Sequence, residues 1–214
     1  MKMEDIGIGW IDLLIVALLI VGVVRGRKRG MSEELLDLIK WGLIVAVGGL
    51  CYQSLGEMLA GGTMFSRLSS YLAAYLGIVL LFIVLFSFIR KHIGGKVIES
   101  DVFGSMEYYL GMCAGAVRYA CMIVVGMALL HARYYSPAEV RAKLKYQEDV
   151  YGSNIFPTLC NVQHEVFGVS LSGRLSEDYL PILLIKSTAP EDKSLGSASI
   201  IKARERNVYE VLEK

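Results

Sequence analysis

The sequence has little charge, and it lacks the spacings that mark a soluble catalytic or metal-binding domain. Charged residues are 20% of the 214 residues against 54% hydrophobic ones, and the mean hydropathy is +0.49. There is no CxxC pair, no Cys/His zinc spacing and no GxSxG nucleophile motif. The net charge of +1 gives no reason to expect a nucleic-acid partner. We therefore expect no metal, no cofactor, no nucleic acid and no disulfide framework.

The four cysteines are too scattered to form a site. Cys51, Cys113 and Cys121 lie inside apolar runs, where a thiol is usually a small packing residue. Cys160 is a lone thiol near the C-terminus. It is interpreted as buried filler in preference to a cross-link between subunits.

Polar residues in the C-terminal part do not form a recognisable catalytic set. His164 is followed by Glu165, and serines stand at 170, 172 and 176. A nucleophile, base and orienting acid need a scaffold that brings them together, and no motif indicates one here. The sequence predicts a protein that is not an enzyme.

Four apolar runs have the length of a membrane span. The hydrocarbon core is ~30 Å thick and needs ~20 helical residues to cross it. The runs are 6–24, 35–52, 71–89 and 108–130, and the third holds no charged residue. The basic cluster follows the first run, which is the wrong order for a cleaved signal peptide. We predict an all-α polytopic membrane protein, with a four-helix transmembrane domain at 1–131.

The basic residues of the short loops predict the orientation. Lys and Arg accumulate in loops on the cytoplasmic side. The N-terminal segment and the loop after the second run carry only Lys2 and Arg67. The loops after the first and third runs carry eight basic residues: Arg25, Arg27, Lys28, Arg29, Lys40, Arg90, Lys91 and Lys96. Both termini are therefore predicted on the periplasmic side. The predicted cytoplasmic anchor consists of Arg25, Arg27, Lys28, Arg29, Arg90 and Lys91.

The segment 132–214 is predicted to be a helical extracytoplasmic tail. Ser136-Pro137-Ala138-Glu139 is a capping box with proline at the first helical position, which indicates a helix to about Val150. The tail is further predicted to hold a short helix from Pro157 to Phe167, a non-spanning apolar run at 179–185, a flexible linker at 186–198 and a solvated helix at 199–213. The apolar run could lie on the membrane surface or pack on the helices of the tail.

Two ionisable residues lie deep in the apolar runs, Asp12 in the first and Arg118 in the fourth. Such groups cost on the order of 2.5–3.5 kcal/mol inside a bilayer. One hypothesis is an intramembrane pair, or a shared polar cavity, between the two residues. The alternative is that each side chain reaches its own interface, which suits the long arginine better than the short aspartate.

Two glycine pairs are typical of close helix contact. Gly22-x-x-x-Gly26 ends the first run, and Gly111-x-x-x-Gly115 precedes Arg118. Small residues four apart let two helix backbones approach. Packing within one subunit is favoured over a dimer face, and a homo-oligomer is left open.

Two segments carry a resemblance to a known family. The first segment comprises Trp10-Ile11-Asp12, Arg29-Gly30, Glu34, Leu36, Leu38 and Trp41. The second segment is Leu110-Gly111-x-x-x-Gly115-x-x-Arg118. Together they resemble the colicin V production protein (CvpA) family over about residues 6–131. The chain has Glu33 and Tyr119 where that family often has a basic residue and a glycine.

The resemblance implies a multi-pass protein of the bacterial inner membrane, linked to production or export of a peptide toxin and to envelope maintenance. The favoured hypothesis is an accessory or scaffold protein whose partners are the lipid bilayer and other export or envelope proteins. The alternative is a channel or transporter subunit that uses Asp12 and Arg118 in a polar site. Spans two and three offer almost no polar positions for a conduit, which favours the scaffold.

Overall fold

The computed structural model describes residues 9–62, 66–98, 104–152 and 158–188, and this part of the chain is helical. The described residues form no β-strand, and an isolated bridge joins Arg133 to Thr188. A short 3₁₀ helix spans Gly104–Met106 and a π-helical turn spans His164–Val169. The α-helices are α1 (Trp10–Gly62), α2 (Arg67–Ile98), α3 (Glu107–His131), α4 (Pro137–Tyr151), α5 (Leu159–Gln163) and α6 (Leu171–Tyr179). The predicted all-α fold is confirmed for these residues.

Helix α1 is broken at Gly30, whose backbone is not helical (φ 76°, ψ 170°). This φ lies in the region that residues with a Cβ atom adopt at a steric cost. A Cβ atom at Gly30 would also lie 2.8 Å from the Glu107 carboxylate. The dihedral angle favours glycine at this position, whereas the flexible Glu107 side chain can move aside.

The two segments of α1 run in opposite directions. Before the break, Gly9 lies next to Ser170, and after it Gly49 lies next to Leu183, so each segment approaches the C-terminal part of the chain. Gly30, between them, lies against the start of α3. The first segment, the second segment, α2 and α3 therefore supply four helical stretches, and these contain the described residues of the four apolar runs.

Two of the described helices are long and apolar enough to cross a membrane. They are Arg67–His92 of α2 and Glu107–His131 of α3, with mean hydropathy of 2.8 and 1.9 over their most apolar windows. The α2 window is only 17% buried within the chain, and side chains such as Leu80, Leu81 and Phe88 are exposed. Such a surface needs an apolar solvent or an apolar partner.

A tyrosine cluster joins α1, α2 and the tail. The Tyr52 ring packs edge-on against Tyr71, with 5.9 Å between centroids, and Tyr75 is fully buried beside it. The Tyr52 hydroxyl accepts a 2.9 Å hydrogen bond from the Lys186 backbone N–H. Ile185, next in the chain, is also fully buried in this core. The apolar run at 179–185 thus packs inside the protein at its C-terminal end.

The tail helix that the capping box predicted is confirmed. The Ser136 hydroxyl accepts a 3.2 Å hydrogen bond from the Glu139 N–H, and α4 ends at Gly152 in a left-handed conformation. The predicted helix to Phe167 is divided into α5, capped by Thr158, and the π-helical turn. Pro157 lies outside the described residues, as do residues 1–8 and 189–214 with the predicted terminal helix.

The tail also closes the end of α3. Gln163 donates hydrogen bonds to the carbonyl oxygens of Leu130 and Arg133, at 2.8 Å and 2.7 Å. The last carbonyl groups of a helix lack partners within it, so this side chain satisfies an end that would otherwise need water. Cys160 is buried nearby, and burial raises the pKa of its thiol. A buried, protonated thiol fits the packing role and not a cross-link.

Candidate functional site: a buried ion cluster

The four predicted packing glycines face one another and set the distance between α1 and α3. A Cβ atom at Gly26 would collide with the Gly111 carbonyl oxygen, and one at Gly115 would collide with that of Gly22. Backbones this close leave room for hydrogen alone on both helices. In this structure the contact lies within one chain, which is the arrangement that the sequence analysis favoured.

Arg118 points from α3 toward two carboxylates on the second segment of α1. Its Nη1 atom lies 2.6 Å from Glu34 Oε2 and 3.2 Å from Asp37 Oδ2. Glu34 and Asp37 are three positions apart, so both side chains lie on one helix face. The break at Gly30 turns this face toward α3, and the close approach of the glycines brings Arg118 within reach of it.

Three further cations surround Asp37. Lys40 Nζ lies 2.7 Å from Oδ1, while Arg29 Nη1 and Arg90 Nη1 lie 3.5 Å and 3.6 Å from Oδ2. Arg90 comes from α2, so the group joins α1, α2 and α3. We call these residues the ion cluster: Arg29, Glu34, Asp37, Lys40, Arg90 and Arg118.

The centre of the ion cluster is removed from solvent. Glu34 is 0% exposed and Arg118 is 6% exposed. Neither Glu34 oxygen accepts a hydrogen bond of normal geometry, so its contact with Arg118 is an ion pair without a matched donor angle. A buried ion pair adds little net stability, but removing one partner leaves an uncompensated charge and is strongly destabilising. A helix arrangement that separated Arg118 from Glu34 would carry that cost.

Asp12 has a different role, because it caps a tail helix. Its Oδ1 atom accepts hydrogen bonds from the hydroxyls of Ser170 and Ser172, both at 2.6 Å. Its Oδ2 atom accepts one from the Leu171 N–H at 3.2 Å, at the start of α6. The first N–H groups of a helix lack partners and carry partial positive charge, so a carboxylate stabilises them.

The structure does not bring Asp12 and Arg118 together. Helix α3 runs antiparallel to the first segment of α1, with Gly115 against Gly22. Arg118 is then level with about residue 19, and Asp12 lies roughly 10 Å farther along at 1.5 Å per residue. Arg118 instead pairs with the second segment of α1, and Asp12 with the start of α6 in the tail. The sequence analysis had not predicted either contact.

The six residues of the predicted cytoplasmic anchor lie at or near the Gly30 end. Two of them, Arg29 and Arg90, belong to the ion cluster. The other four are exposed: Arg25, Arg27, Lys28 and Lys91. This end therefore carries exposed positive charge, while the opposite end of the helices contacts the tail.

The tail serines serve structural contacts in the described residues. Ser170 and Ser172 are bonded to Asp12, and Ser176 donates to the Met127 sulfur and the Ser172 carbonyl oxygen. The nearby His131 lies 3.2 Å from Glu177 and 2.8 Å from the Ile185 carbonyl oxygen. None of these contacts aligns a serine with a histidine.

Sequence reasoning missed Glu34 and Asp37 as partners of Arg118. A signal was present, since Glu34, Asp37 and Lys40 recur every three residues on one helix face. Placing the start of the second span at residue 35 assigned them to the membrane interface. The serines that bind Asp12 gave a weaker signal, because nothing in the sequence states where the tail docks.

The fold and the cluster define a class: an all-helical protein with exposed apolar helices of membrane-span length, closed around an internal ion cluster. The family model described as Colicin V production protein matches residues 11–162, so the chain belongs to that family. The match continues past residue 131, where the resemblance seen in the sequence ended, and includes α4 and the start of α5. No curated protein and no solved structure matches the chain.

Proposed function

We propose that this chain is a four-span scaffold of the bacterial inner membrane that supports toxin production or export and envelope maintenance. The family supports a role in toxin production. In this proposal the protein is not an enzyme. It holds other export or envelope proteins through its apolar helix surfaces and its periplasmic tail.

The observation that carries the proposal is the way the deep charges are used. The Arg118 guanidinium is engaged by Glu34 and Asp37, and the Asp12 carboxylate is engaged by the start of α6. A conduit needs polar groups that face a shared path. Here the two deepest ionisable groups are held about 10 Å apart by partners within the chain, which suits a rigid support.

The same geometry supports the proposal of four spans with periplasmic termini. The two segments of α1 and the helices α2 and α3 alternate in direction between the Gly30 end and the tail end. The exposed cations Arg25, Arg27, Lys28 and Lys91 lie toward the Gly30 end. By the positive-inside rule, that end faces the cytoplasm and the tail faces the periplasm.

Site-specific photo-cross-linking tests the scaffold role. We expect a photoreactive residue at Leu81, which is 63% exposed on α2, to give a discrete adduct with another membrane protein in native membranes. The control carries the photoreactive amino acid in place of the fully buried Tyr75 and should give no adduct. Absence of an adduct at Leu81 and at the neighbouring exposed Leu80 and Val84 would contradict the proposal.

A second function, a subunit of a channel or transporter, is favoured by Glu34. Its carboxylate is fully buried, and ionisable groups inside membrane spans commonly mark an ion or substrate pathway. Ion flux through liposomes that contain the purified protein separates the two functions. The scaffold predicts flux no higher than in empty liposomes. Robust conductance that Arg118→Ala or Glu34→Gln abolishes would replace the scaffold with the conduit.

A further inference from the structure

A groove between α1 and α3 is not explained by the ion cluster or by the contacts of the tail. It has a volume of about 720 Å³ and lies on the first segment of α1 and the start of α3. Its lining residues are Val23, Val24, Arg27, Lys28, Tyr108, Tyr109 and Met112. The glycines that bring the two backbones together, Gly26 and Gly111, lie beside it in sequence.

The groove changes character along its length. Arg27 and Lys28 lie at the end near the Gly30 break, and the two tyrosines lie at the corresponding start of α3. One turn farther along each helix the lining becomes apolar, with Val24 on α1 and Met112 on α3. A ligand that fills it needs an anionic or polar end and an apolar end.

The positive charge of the groove has no acidic partner among the described residues. None of the described lining residues is acidic, and neither Arg27 nor Lys28 forms an ion pair within that part of the chain. By contrast, the adjacent Arg29 is engaged by Asp37 and Glu34 in the ion cluster. Basic pockets between spans on the cytoplasmic side bind anionic lipid headgroups. Tyrosine rings are favoured at the same depth, where one end of the ring is wet.

We propose that this groove binds an anionic phospholipid of the inner leaflet. The phosphate lies between Arg27 and Lys28, the glycerol region packs on Tyr108 and Tyr109, and an acyl chain follows Val24 and Met112 into the bilayer. The proposal rests on the membrane location given above. A bound lipid would fill the gap between α1 and α3 next to the glycine contact, and so stabilise that contact.

A tryptophan placed in the groove reports the lipid directly. The probe protein is the full chain with Tyr108→Trp, in which Trp10→Phe and Trp41→Phe remove the two native tryptophans. It is reconstituted into phosphatidylcholine vesicles that contain a small share of brominated phosphatidylglycerol or brominated phosphatidylcholine. Two cations near a surface predict an apparent preference for the anionic lipid on the order of tenfold.

A pair of double variants separates the groove from diffuse charge. In Arg27→Gln with Lys28→Gln we expect the preference to fall close to one. Arg25→Gln with Lys91→Gln removes the same charge from exposed residues outside the groove lining, and should keep the preference. Equal losses in the two double variants would overturn the proposal, since attraction to the surface as a whole would then explain the result.

Two further measurements distinguish a lipid from free phosphate, and failure of the lipid site from failure of the membrane location. Inorganic phosphate should not relieve the quenching by brominated phosphatidylglycerol; full relief would mean a site for free phosphate and would overturn the lipid assignment. A probe protein that does not insert into phosphatidylcholine vesicles contradicts the membrane location itself. If the probe protein inserts but both brominated lipids quench its tryptophan fluorescence equally, only the lipid site is contradicted.

Discussion

Arg118 joins α3 to the second segment of α1 through two carboxylates. The residue is 6% exposed, and its guanidinium lies 2.6 Å from Glu34 and 3.2 Å from Asp37. Asp37 has other cationic neighbours, with Lys40 the closest at 2.7 Å. Glu34 is fully buried and has Arg118 as its close partner, with Arg29 at 3.7 Å. Loss of Arg118 therefore leaves Glu34, more than Asp37, as a buried carboxylate without a close cation.

Removing Arg118 alone should be far more damaging than removing it together with Glu34. We expect Arg118→Met to destabilise the protein by about 3–5 kcal/mol, because Glu34 stays buried and keeps only its longer contact with Arg29. The double variant Arg118→Met with Glu34→Met should recover most of this loss, since both charges are gone. Chemical unfolding in detergent measures the difference. Additive losses in the double variant would mean that the two residues do not interact.

Asp12 should matter for the tail and little for the helices. Asp12→Asn removes the negative charge at the start of α6, and we expect a local loss of about 0.3–1 kcal/mol, as for other charges at a helix N-terminus. Hydrogen exchange of residues 171–179 should accelerate, while the exchange of α3 stays unchanged. Asp178→Asn is the control, because this acidic residue of α6 is exposed and away from the cap. Equal acceleration in both variants would contradict the capping role.

At the residue scale the sequence identified the costly groups but not their partners. Asp12 and Arg118 were predictable because an ionisable group in an apolar run is expensive wherever it occurs. Their partners depend on the register between helices and on the docking of the tail. The Gly22–Gly115 contact sets that register. A sequence pattern records which faces are small or polar, but not which faces meet.

The contact of α1 with α3 is the element-scale feature that the glycines determine. Gly115→Ala should destabilise the protein by about 1–3 kcal/mol, because the new methyl group meets the Gly22 carbonyl oxygen and overpacks the interface. Gly126→Ala is the matched control on the same helix, where a Cβ atom meets nothing within 4 Å. Thermal unfolding in detergent measures both variants. Equal unfolding temperatures would mean that the backbones are not in contact.

Helices were predictable as elements, while the break at Gly30 was not. The run lengths and the capping box at Ser136 gave the helical stretches and the start of α4. Gly30 appeared as one of 22 glycines, in a motif whose meaning came from the family resemblance. Its positive φ arises because the chain reverses there against the Glu107 side chain, and this contact is long-range in sequence.

The whole molecule has a charged end and a tail end. The ion cluster and the exposed cations lie toward the first, while Asp12, Tyr52 and His131 contact tail residues at the second. The sequence predicted this division from the loop charges. It left open whether the apolar run at 179–185 lies on the membrane surface or packs on the tail helices, and the structure buries the end of this run, Leu184 and Ile185, in the core. The family match to residue 162 agrees with a tail that is part of the fold.

The most direct test of this account is the accessibility of single cysteines from outside the cell. In a variant without the four native cysteines, we place one cysteine at Leu175 on α6 or at Lys28 near the Gly30 end; both positions are exposed. A membrane-impermeant maleimide should label the cysteine at 175 in spheroplasts, and label that at 28 only after the membrane is opened. Labelling of both cysteines in intact spheroplasts, or of 28 alone, would contradict a membrane-spanning bundle with its tail outside.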